Sequence, residues 1–203
     1  GRPDKVVLDV ASETGCNLIV TGIAGNDPIG QPLLGSTTVK LARHAAVPVL
    51  VVKMRPRMPY SRVVVASDLS DASLSAMRLA LGIFRPEQLI LFHTFDMPFR
   101  SWTGDKAGRE SSLRAQAQSQ CAAFLEAVAG ADAARIAVIA ARGDPAVTIA
   151  DFAADEDVDL VVAGTHGHTG LMDVLLGSVA VNLLDEVPCD MLIVPAIGAR
   201  AGD

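Results

Sequence analysis

The feature that most constrains the fold of this chain is an internal repeat. Residues 1–53 align with residues 143–195 without a gap, and about 30% of the aligned positions are identical. The stretch 22–36 reads GIAGNDPIGQPLLGS, and its twin at 164–178 reads GTHGHTGLMDVLLGS. A repeat of this length indicates two copies of one folding unit, so both copies should share one architecture.

The two copies differ in extent. The second copy includes residues 61–142, which have no counterpart in the first copy. We therefore expect a partial first domain at 1–53, a linker at 54–60, a complete domain at 61–196 and a tail at 197–203. The first domain holds only the carboxyl-terminal part of the repeated unit, so its strand 18–21 should expose an edge where a further strand is missing.

Composition excludes several classes of protein. Half of the chain is apolar and a fifth is charged, which is typical of a folded soluble domain. A net charge of -6 argues against general nucleic-acid binding, and the basic run at 53–57 is short and broken by proline, which favours a solvated linker. The three cysteines are far apart, and no apolar run reaches about 18 residues. These features predict a cytoplasmic protein with free thiols and no membrane span.

Short apolar segments alternate with helical patterns in the second copy. Strands are predicted near 62–66, 89–94, 135–141, 159–164 and 191–195. Helices are predicted at 70–82, 109–129, 145–155 and 178–186, with a loop at 95–108. Because the strands are apolar on both faces, the pattern predicts a five-stranded parallel sheet with helices on both sides. The first copy should form a helix, a strand at 18–21, a helix at 36–45 and a strand at 49–52.

A glycine-rich stretch follows the fourth predicted strand of the complete unit. In doubly wound sheets, ligands bind at the carboxyl ends of the strands. Gly164 permits a sharp exit from the strand, and Gly167 lets the backbone approach a ligand. Gly177 and Ser178 lie at a helix start, where N–H groups and the dipole favour an anion. The stretch therefore predicts a phosphate site, although it matches neither GxxxxGK[ST] nor a GxGxxG after the first strand.

The spacing Gly-x-x-Gly, nine residues, Gly-Ser after the fourth strand resembles the ATP-binding members of the universal stress protein (UspA-like) family. Further matches are ASDLS at 66–70, LFHT at 91–94, Gly143-x-Pro145 and THG at 165–167. The resemblance implies a Rossmann-like fold of the adenine-nucleotide alpha-hydrolase type, in a tandem member with an incomplete first domain. It also implies ATP or AMP as the ligand, with magnesium carried by the nucleotide, and a dimeric or pseudo-dimeric stress-response protein.

The resemblance also implies roles for individual residues. Asp68 would accept hydrogen bonds from the ribose hydroxyls, and the backbone at Thr94 would contact the adenine edge. The remaining positions would hold the nucleoside and its phosphates, so that the nucleotide-binding set is Ala66, Ser67, Asp68, Thr94, Ala163, Gly164, His166, Gly167, Gly177, Ser178 and Val179. Helix capping is the structural alternative for Asp68. His166 and His168 lack the additional ligands that a metal site requires, so no metal site is predicted.

The first copy keeps Gly22, Gly25, Gly35 and Ser36 but lacks the strands that would carry the ribose and adenine contacts. It should not bind a nucleotide alone, although an anion site at these four positions is a further hypothesis. Family members pair through their last strands. We therefore expect residues 49–52 to pair with residues 191–194 and to join the partial domain to the complete one.

Three functions are compatible with this sequence. The first is a nucleotide-binding sensor or adaptor with little or no hydrolysis, because no Walker lysine, arginine finger or general base is evident and no catalytic residue is assigned. The second is a slow ATP-hydrolysing enzyme of the same fold, with Asp173 or His166 positioning water. The third is a nucleotide-free dimeric interaction module in which the glycine stretch is only a turn.

Overall fold

A computed structural model of the chain describes residues 2–23, 25–26, 32–55, 58–96, 106–165 and 177–196. The first copy contains α1 (Pro3–Thr14), β1 (Ile19–Gly22), β2 (Gly25–Asn26), β3 (Pro32–Leu33), α2 (Ser36–His44) and β4 (Val49–Val52). The second contains β5 (Val63–Ser67), α3 (Asp71–Ile83), β6 (Leu89–Phe95), α4 (Lys106–Ala129), β7 (Ala137–Arg142), α5 (Pro145–Asp155), β8 (Leu160–Gly164), α6 (Ser178–Glu186) and β9 (Asp190–Val194). Short 3-10 helices occupy Pro86–Gln88 and Gly130–Arg135.

Seven strands form one sheet in the order β1-β4-β9-β8-β5-β6-β7. The five strands of the second copy are parallel to one another, as the sequence predicts. The chain runs from β5 outward through β6 to β7 and then returns to β8 on the other side of β5. The direction of winding therefore reverses between β5 and β8, which is the place where this class of sheet opens a ligand crevice.

The two copies join through their last strands. β4 pairs antiparallel with β9, with Val49 opposite Ile193 and Val51 opposite Met191. The expected pairing of residues 49–52 with residues 191–194 is thus confirmed within one chain. Because β8 lies on the other side of β9, both edges of β9 are occupied in this molecule.

The core consists of two apolar layers, one on each face of the sheet. On one face, α2, α5 and α6 pack over the sheet, and the buried side chains of this layer include Phe92, Ile149 and Met191. On the other face, α3 and α4 place Met77 and Cys121 against the sheet. Every residue of β5 is buried, and full burial of each large side chain stabilises the fold by about 1.5–3 kcal/mol.

The two ends of the segment between the copies are held by hydrogen bonds to the second copy. The Asp190 carboxylate, which is buried, accepts hydrogen bonds from the Lys53 amide at 2.7 Å, the Met54 amide at 3.0 Å and the Tyr60 hydroxyl at 2.6 Å. Lys53 Nζ donates to the Val187 carbonyl at 2.7 Å, and burial lowers the pKa of this amine. The prediction of a solvated run at 53–57 is therefore wrong for Lys53, because Val187 at the end of α6 and Asp190 at the start of β9 provide acceptors for it.

Several element boundaries differ from the sequence prediction. Gly82 is expected to end a helix, but α3 includes this glycine and ends one residue later, at Ile83. α4 begins at Lys106, inside the predicted loop 95–108, of which residues 97–105 lie outside the described part of the chain. In the first copy, β2 and β3 form a short antiparallel pair that the sequence analysis did not predict.

Candidate functional site

A cavity of about 340 Å³ opens at the carboxyl ends of β5, β6 and β8, beside the switch point of the sheet. This volume lies within the range of about 300–1,000 Å³ that is usual for small-molecule sites. Nine residues of the predicted nucleotide-binding set line it: Ala66, Ser67, Asp68, Thr94, Ala163, Gly164, Gly177, Ser178 and Val179. The other two, His166 and Gly167, lie outside the described residues.

The turn between β5 and α3 fixes the position of Asp68. The Ser73 hydroxyl donates to Asp68 Oδ1 at 2.7 Å, and the Ser70 amide donates to the same oxygen at 3.1 Å. The Asp68 amide in turn donates to Ser73 Oγ at 3.1 Å. Leu69 adopts a φ of 65°, which lets the chain reverse direction between the strand and the helix. These contacts hold the carboxylate at the mouth of the cavity.

Asp68 does not cap α3. The N-cap is Ser70, whose hydroxyl accepts from the Ser73 amide at 3.4 Å. The helix-capping alternative for Asp68 is therefore wrong. Ser73 is not in the nucleotide-binding set predicted from the sequence. The sequence feature that could have indicated it is a serine in the first turn of α3, five residues after Asp68.

The inner part of the cavity is apolar. Phe92, Pro145, Ile149 and Leu183 line it together with Ala180, and none of these was in the predicted set. Phe92 contacts Phe152 with ring centroids 5.2 Å apart, which holds its ring against α5. An apolar floor beneath polar rim groups suits a flat heterocycle with a hydrophilic substituent. The helical apolar stripe of α5 was the available signal, but it is also the signal of an ordinary core helix.

Gly164 is required for packing, which differs from the reason that the sequence suggested. A Cβ atom at this position would lie 2.9 Å from the backbone carbon and oxygen of Ala72, so a larger residue would push α3 away from β8. The glycine thus allows the turn that carries Asp68 to approach β8 closely. Its role is steric, whereas the sequence analysis expected it to provide a sharp exit from the strand.

The two ends of the glycine stretch are joined by backbone hydrogen bonds. The Gly177 amide donates to the Thr165 carbonyl at 2.7 Å, and the Thr165 amide donates to the Val194 carbonyl at 3.0 Å. These bonds place the first turn of α6, beginning at Ser178, on the rim of the cavity. The first N–H groups of a helix have no intrahelical acceptor, so this rim attracts an anion. Among the described lining residues, Asp68 is the only charged one.

The corresponding region of the first copy is built differently. Gly22 ends β1, Gly25 lies in β2, and Gly35 and Ser36 begin α2. The Thr38 hydroxyl donates to the Gly22 carbonyl at 3.0 Å and bridges the strand to the helix. The twin of Thr38 is Ala180, which leaves this space open in the second copy. The anion site at these four positions stays a prediction.

Within the described part of the chain, no three histidine, cysteine or acidic side chains come together as metal ligands would. No helix among these residues combines the length and apolar character needed to cross a bilayer.

The chain forms a doubly wound α/β sheet with a cavity at its switch point, a fixed carboxylate on one side and a helix start on the other. In sheets of this class, ligands bind at that place. Within this class, residues 1–53 and 59–195 match the model of the Universal stress protein family. The chain belongs to that family. Both copies of the repeat fall within the matched residues.

Relatives of known family support this assignment. The chain is 29% identical to universal stress protein MJ0531 of Methanocaldococcus jannaschii over 139 residues, which cover 66% of this chain and 82% of the relative. It is 28% identical to universal stress protein Rv2623 of Mycobacterium tuberculosis over 191 residues, which cover 90% of this chain. That match spans 61% of the length of the mycobacterial protein.

Solved structures share the fold. Protein PA1789 of Pseudomonas aeruginosa, described as functionally unknown, superposes on 97% of this chain with a TM-score of 0.73 at 20% identity, and 69% of its own chain is covered. A universal stress protein in complex with cAMP superposes on 68% of this chain with a TM-score of 0.51 at 26% identity, and 99% of its own chain is covered.

Proposed function

We propose that this universal stress protein binds an adenine nucleotide, ATP or AMP, in the cavity beside β5 and β8, and acts as a sensor or adaptor in a stress response. The observation that carries the proposal is the convergence of Asp68, Thr94 and the Gly177–Ser178 helix start on one cavity. These groups come from three separate segments of the chain. A purely structural turn would not need to bring them together.

Each part of the cavity suits one part of the nucleotide. The first turn of α6 and the Ser178 hydroxyl would receive the phosphates, and His166 and Gly167 would join them there. The Asp68 carboxylate would accept from the ribose hydroxyls. Phe92 and Ile149 would contact the adenine ring, whose edge would face the backbone at Thr94. Magnesium would enter with the nucleotide, because its usual protein sites combine few carboxylates with substrate phosphates.

A relative supports the class of ligand. The universal stress protein solved in complex with cAMP holds an adenine nucleotide and shares the fold of the complete unit. In this chain, the partial first unit has no counterpart of Asp68 or Thr94. We therefore expect one nucleotide per chain, held by the unit at 61–196. Hydrolysis would be slow or absent, since no lysine or arginine is among the described lining residues.

The nucleotide content of the purified protein tests this proposal directly. The protein is denatured, and the supernatant is analysed by ion-pair chromatography with mass detection. About one ATP or AMP per chain is the expected result. Titration calorimetry with ATP, AMP and cAMP, each with and without magnesium, then ranks the ligands and shows whether the metal contributes. Absence of copurified nucleotide together with no binding heat would overturn the proposal and leave the interaction-module hypothesis.

A further inference from the structure

Several apolar residues of the first copy are exposed, whereas their twins in the second copy are buried. The repeat pairs each residue with the one 142 positions later, so burial can be compared position by position. The exposed members are Val7 (37%), Leu18 (44%) and Val20 (60%), and their buried twins are Ile149 (2%), Leu160 (1%) and Val162 (0%). The same positions of one architecture thus lie in the core in one copy and at the surface in the other.

These residues flank an open strand edge. β1 is the outermost strand of the seven-stranded sheet among the described residues. The Ile19 amide donates to the Pro48 carbonyl at 2.9 Å, on the β4 side. Because successive residues of a strand direct their hydrogen-bonding groups to opposite sides, the N–H and C=O groups of Val20 face the open edge. We call Val6, Val7, Val10, Leu18, Val20 and this edge the α1–β1 face.

The α1–β1 face extends over both sides of the sheet. The Ile19 side chain packs with α2 in the first apolar layer, so the alternation of a strand places Leu18 and Val20 on the opposite side. A partner that completes this face must therefore supply a strand beside β1. It must also supply a helix over Leu18 and Val20, and further apolar surface against Val7 on α1.

The second copy shows which segment meets these requirements. β5 pairs parallel with β8, the twin of β1. α3 packs against β8 on the side where Leu160 and Val162 lie, and Met77 belongs to the same layer. On the other side, Phe92 of β6 shares a layer with Ile149. One strand–helix–strand segment, residues 61–95, therefore covers all three buried twins.

We propose that the α1–β1 face is a docking surface for a strand–helix–strand segment of the universal stress protein type. Its first strand pairs parallel with β1, its helix covers Leu18 and Val20, and its second strand brings a large apolar side chain toward Val7. A second copy of this chain is a poorer occupant, because its own β5, α3 and β6 are already buried in its sheet. The proposal depends on the repeat and on burial, and it does not depend on nucleotide binding.

A fused chain supplies this segment at high effective concentration. A second copy of residues 61–142 is placed directly ahead of Gly1 of the full chain, which preserves the spacing of the repeat. Hydrogen exchange at the Val20 and Gly22 amides is compared between the fused and the 203-residue chains. We expect exchange at these amides to slow by about 100-fold or more in the fused chain, because their N–H groups gain acceptors.

Two variants separate docking from other effects of the fusion. Val20→Asp should restore fast exchange at Gly22 in the fused chain, because a carboxylate cannot be buried under the docked helix. Val147→Asp changes an equally apolar residue that is 53% exposed on α5, so the protection should remain. Protection that survives Val20→Asp would overturn the proposal.

Two other results would also overturn it. One is exchange at the Val20 and Gly22 amides that is as fast in the fused chain as in the 203-residue chain, whether or not the added segment folds. The other comes from sedimentation of the 203-residue chain. If it is a dimer that Val20→Asp dissociates, the α1–β1 face belongs to a second copy and the proposed occupant is wrong.

Discussion

At the scale of single residues, the proposed site depends on a carboxylate held by the helix that follows it. Asp68 accepts from the Ser73 hydroxyl at 2.7 Å and from the Ser70 amide at 3.1 Å. A side chain fixed before binding loses little conformational freedom when the ligand arrives. In the proposed site, Ser73, which also lines the cavity, would therefore act as a positioning residue for Asp68.

Replacing Ser73 by alanine tests this role. We expect Ser73→Ala to weaken ATP binding by about 5- to 20-fold, because a hydrogen bond to a charged group contributes about 1.5–3 kcal/mol and part of it survives through Ser70. Ser75→Ala is the matched control, since Ser75 is buried on the same helix but its hydroxyl donates to the Asp71 carbonyl at 3.1 Å. Calorimetric Kd values for ATP that rise equally for both variants would contradict the positioning role.

Gly164 and its twin Gly22 give a second test at this scale. Gly164→Ala should destabilise the fold by about 1–3 kcal/mol, because the new methyl group meets the Ala72 backbone. Gly22→Ala should change the free energy of unfolding by less than about 0.5 kcal/mol. The new Cβ atom would lie 3.9 Å from the nearest atom, the Val52 carbonyl oxygen, which is an ordinary contact distance. Urea unfolding of the two variants measures both values, and equal losses would show that the close approach is not the cause.

At the scale of elements, α6 and α2 are twin helices in different surroundings. Both are nine residues long and begin with a serine after a glycine. β8, the strand before α6, has β5 beside it, whereas β1, the strand before α2, is the edge strand of the sheet that the described residues form. The same helix start therefore borders a cavity in the second copy and lacks the opposite wall in the first.

Valine substitutions at the two helix starts test this difference. Gly177 and Gly35 have φ values of -58° and -71°, which valine adopts without strain. Gly177→Val should weaken ATP binding by about 30-fold or more, because the branched side chain stands at the cavity rim. Gly35→Val should leave the Kd for ATP within about twofold of the value for the unsubstituted chain. Because both glycines are helix N-caps, this variant controls for the stability lost when an N-cap glycine is replaced. An equal effect of both variants on calorimetric binding would contradict a phosphate site at α6.

At the scale of the whole molecule, two features join the copies. One is the antiparallel β4–β9 pairing. The other is the Asp190 carboxylate, which binds both ends of the segment between the copies through Lys53, Met54 and Tyr60. Together they make the strands of the first copy an extension of the sheet of the second copy.

Asp190→Ala should destabilise the chain by about 2–4 kcal/mol, because the part-buried hydrogen bonds from the Lys53 and Met54 amides and from the Tyr60 hydroxyl to this carboxylate are lost together. Tyr60→Phe removes only one of the three hydrogen bonds and should cost about 1–2 kcal/mol. Thermal unfolding of both variants gives the two values. A loss for Asp190→Ala no larger than that for Tyr60→Phe would show that the amide contacts contribute little.

The sequence alone determined the repeat, the alternation of strands and helices, and the class of the fold. These features depend on local periodicity and on identities between the copies, which the sequence contains directly. It also predicted nine residues that line the cavity, because the family resemblance fixes their positions relative to the strands. The pairing of residues 49–52 with residues 191–194 was likewise predicted from the family.

Only the tertiary structure decided which side chains meet, both within one turn and between segments that are distant in sequence. Ser73 orients Asp68, Phe92 and Ile149 form the cavity floor, and Gly164 is small because Ala72 lies against it. Lys53 is held by Val187 and Asp190, more than 130 positions away. Residue type and spacing do not encode such contacts, since a serine in a first helical turn or an apolar residue on a helical stripe has many structural uses. What such a residue contacts in this molecule depends on which surface the fold places opposite its side chain.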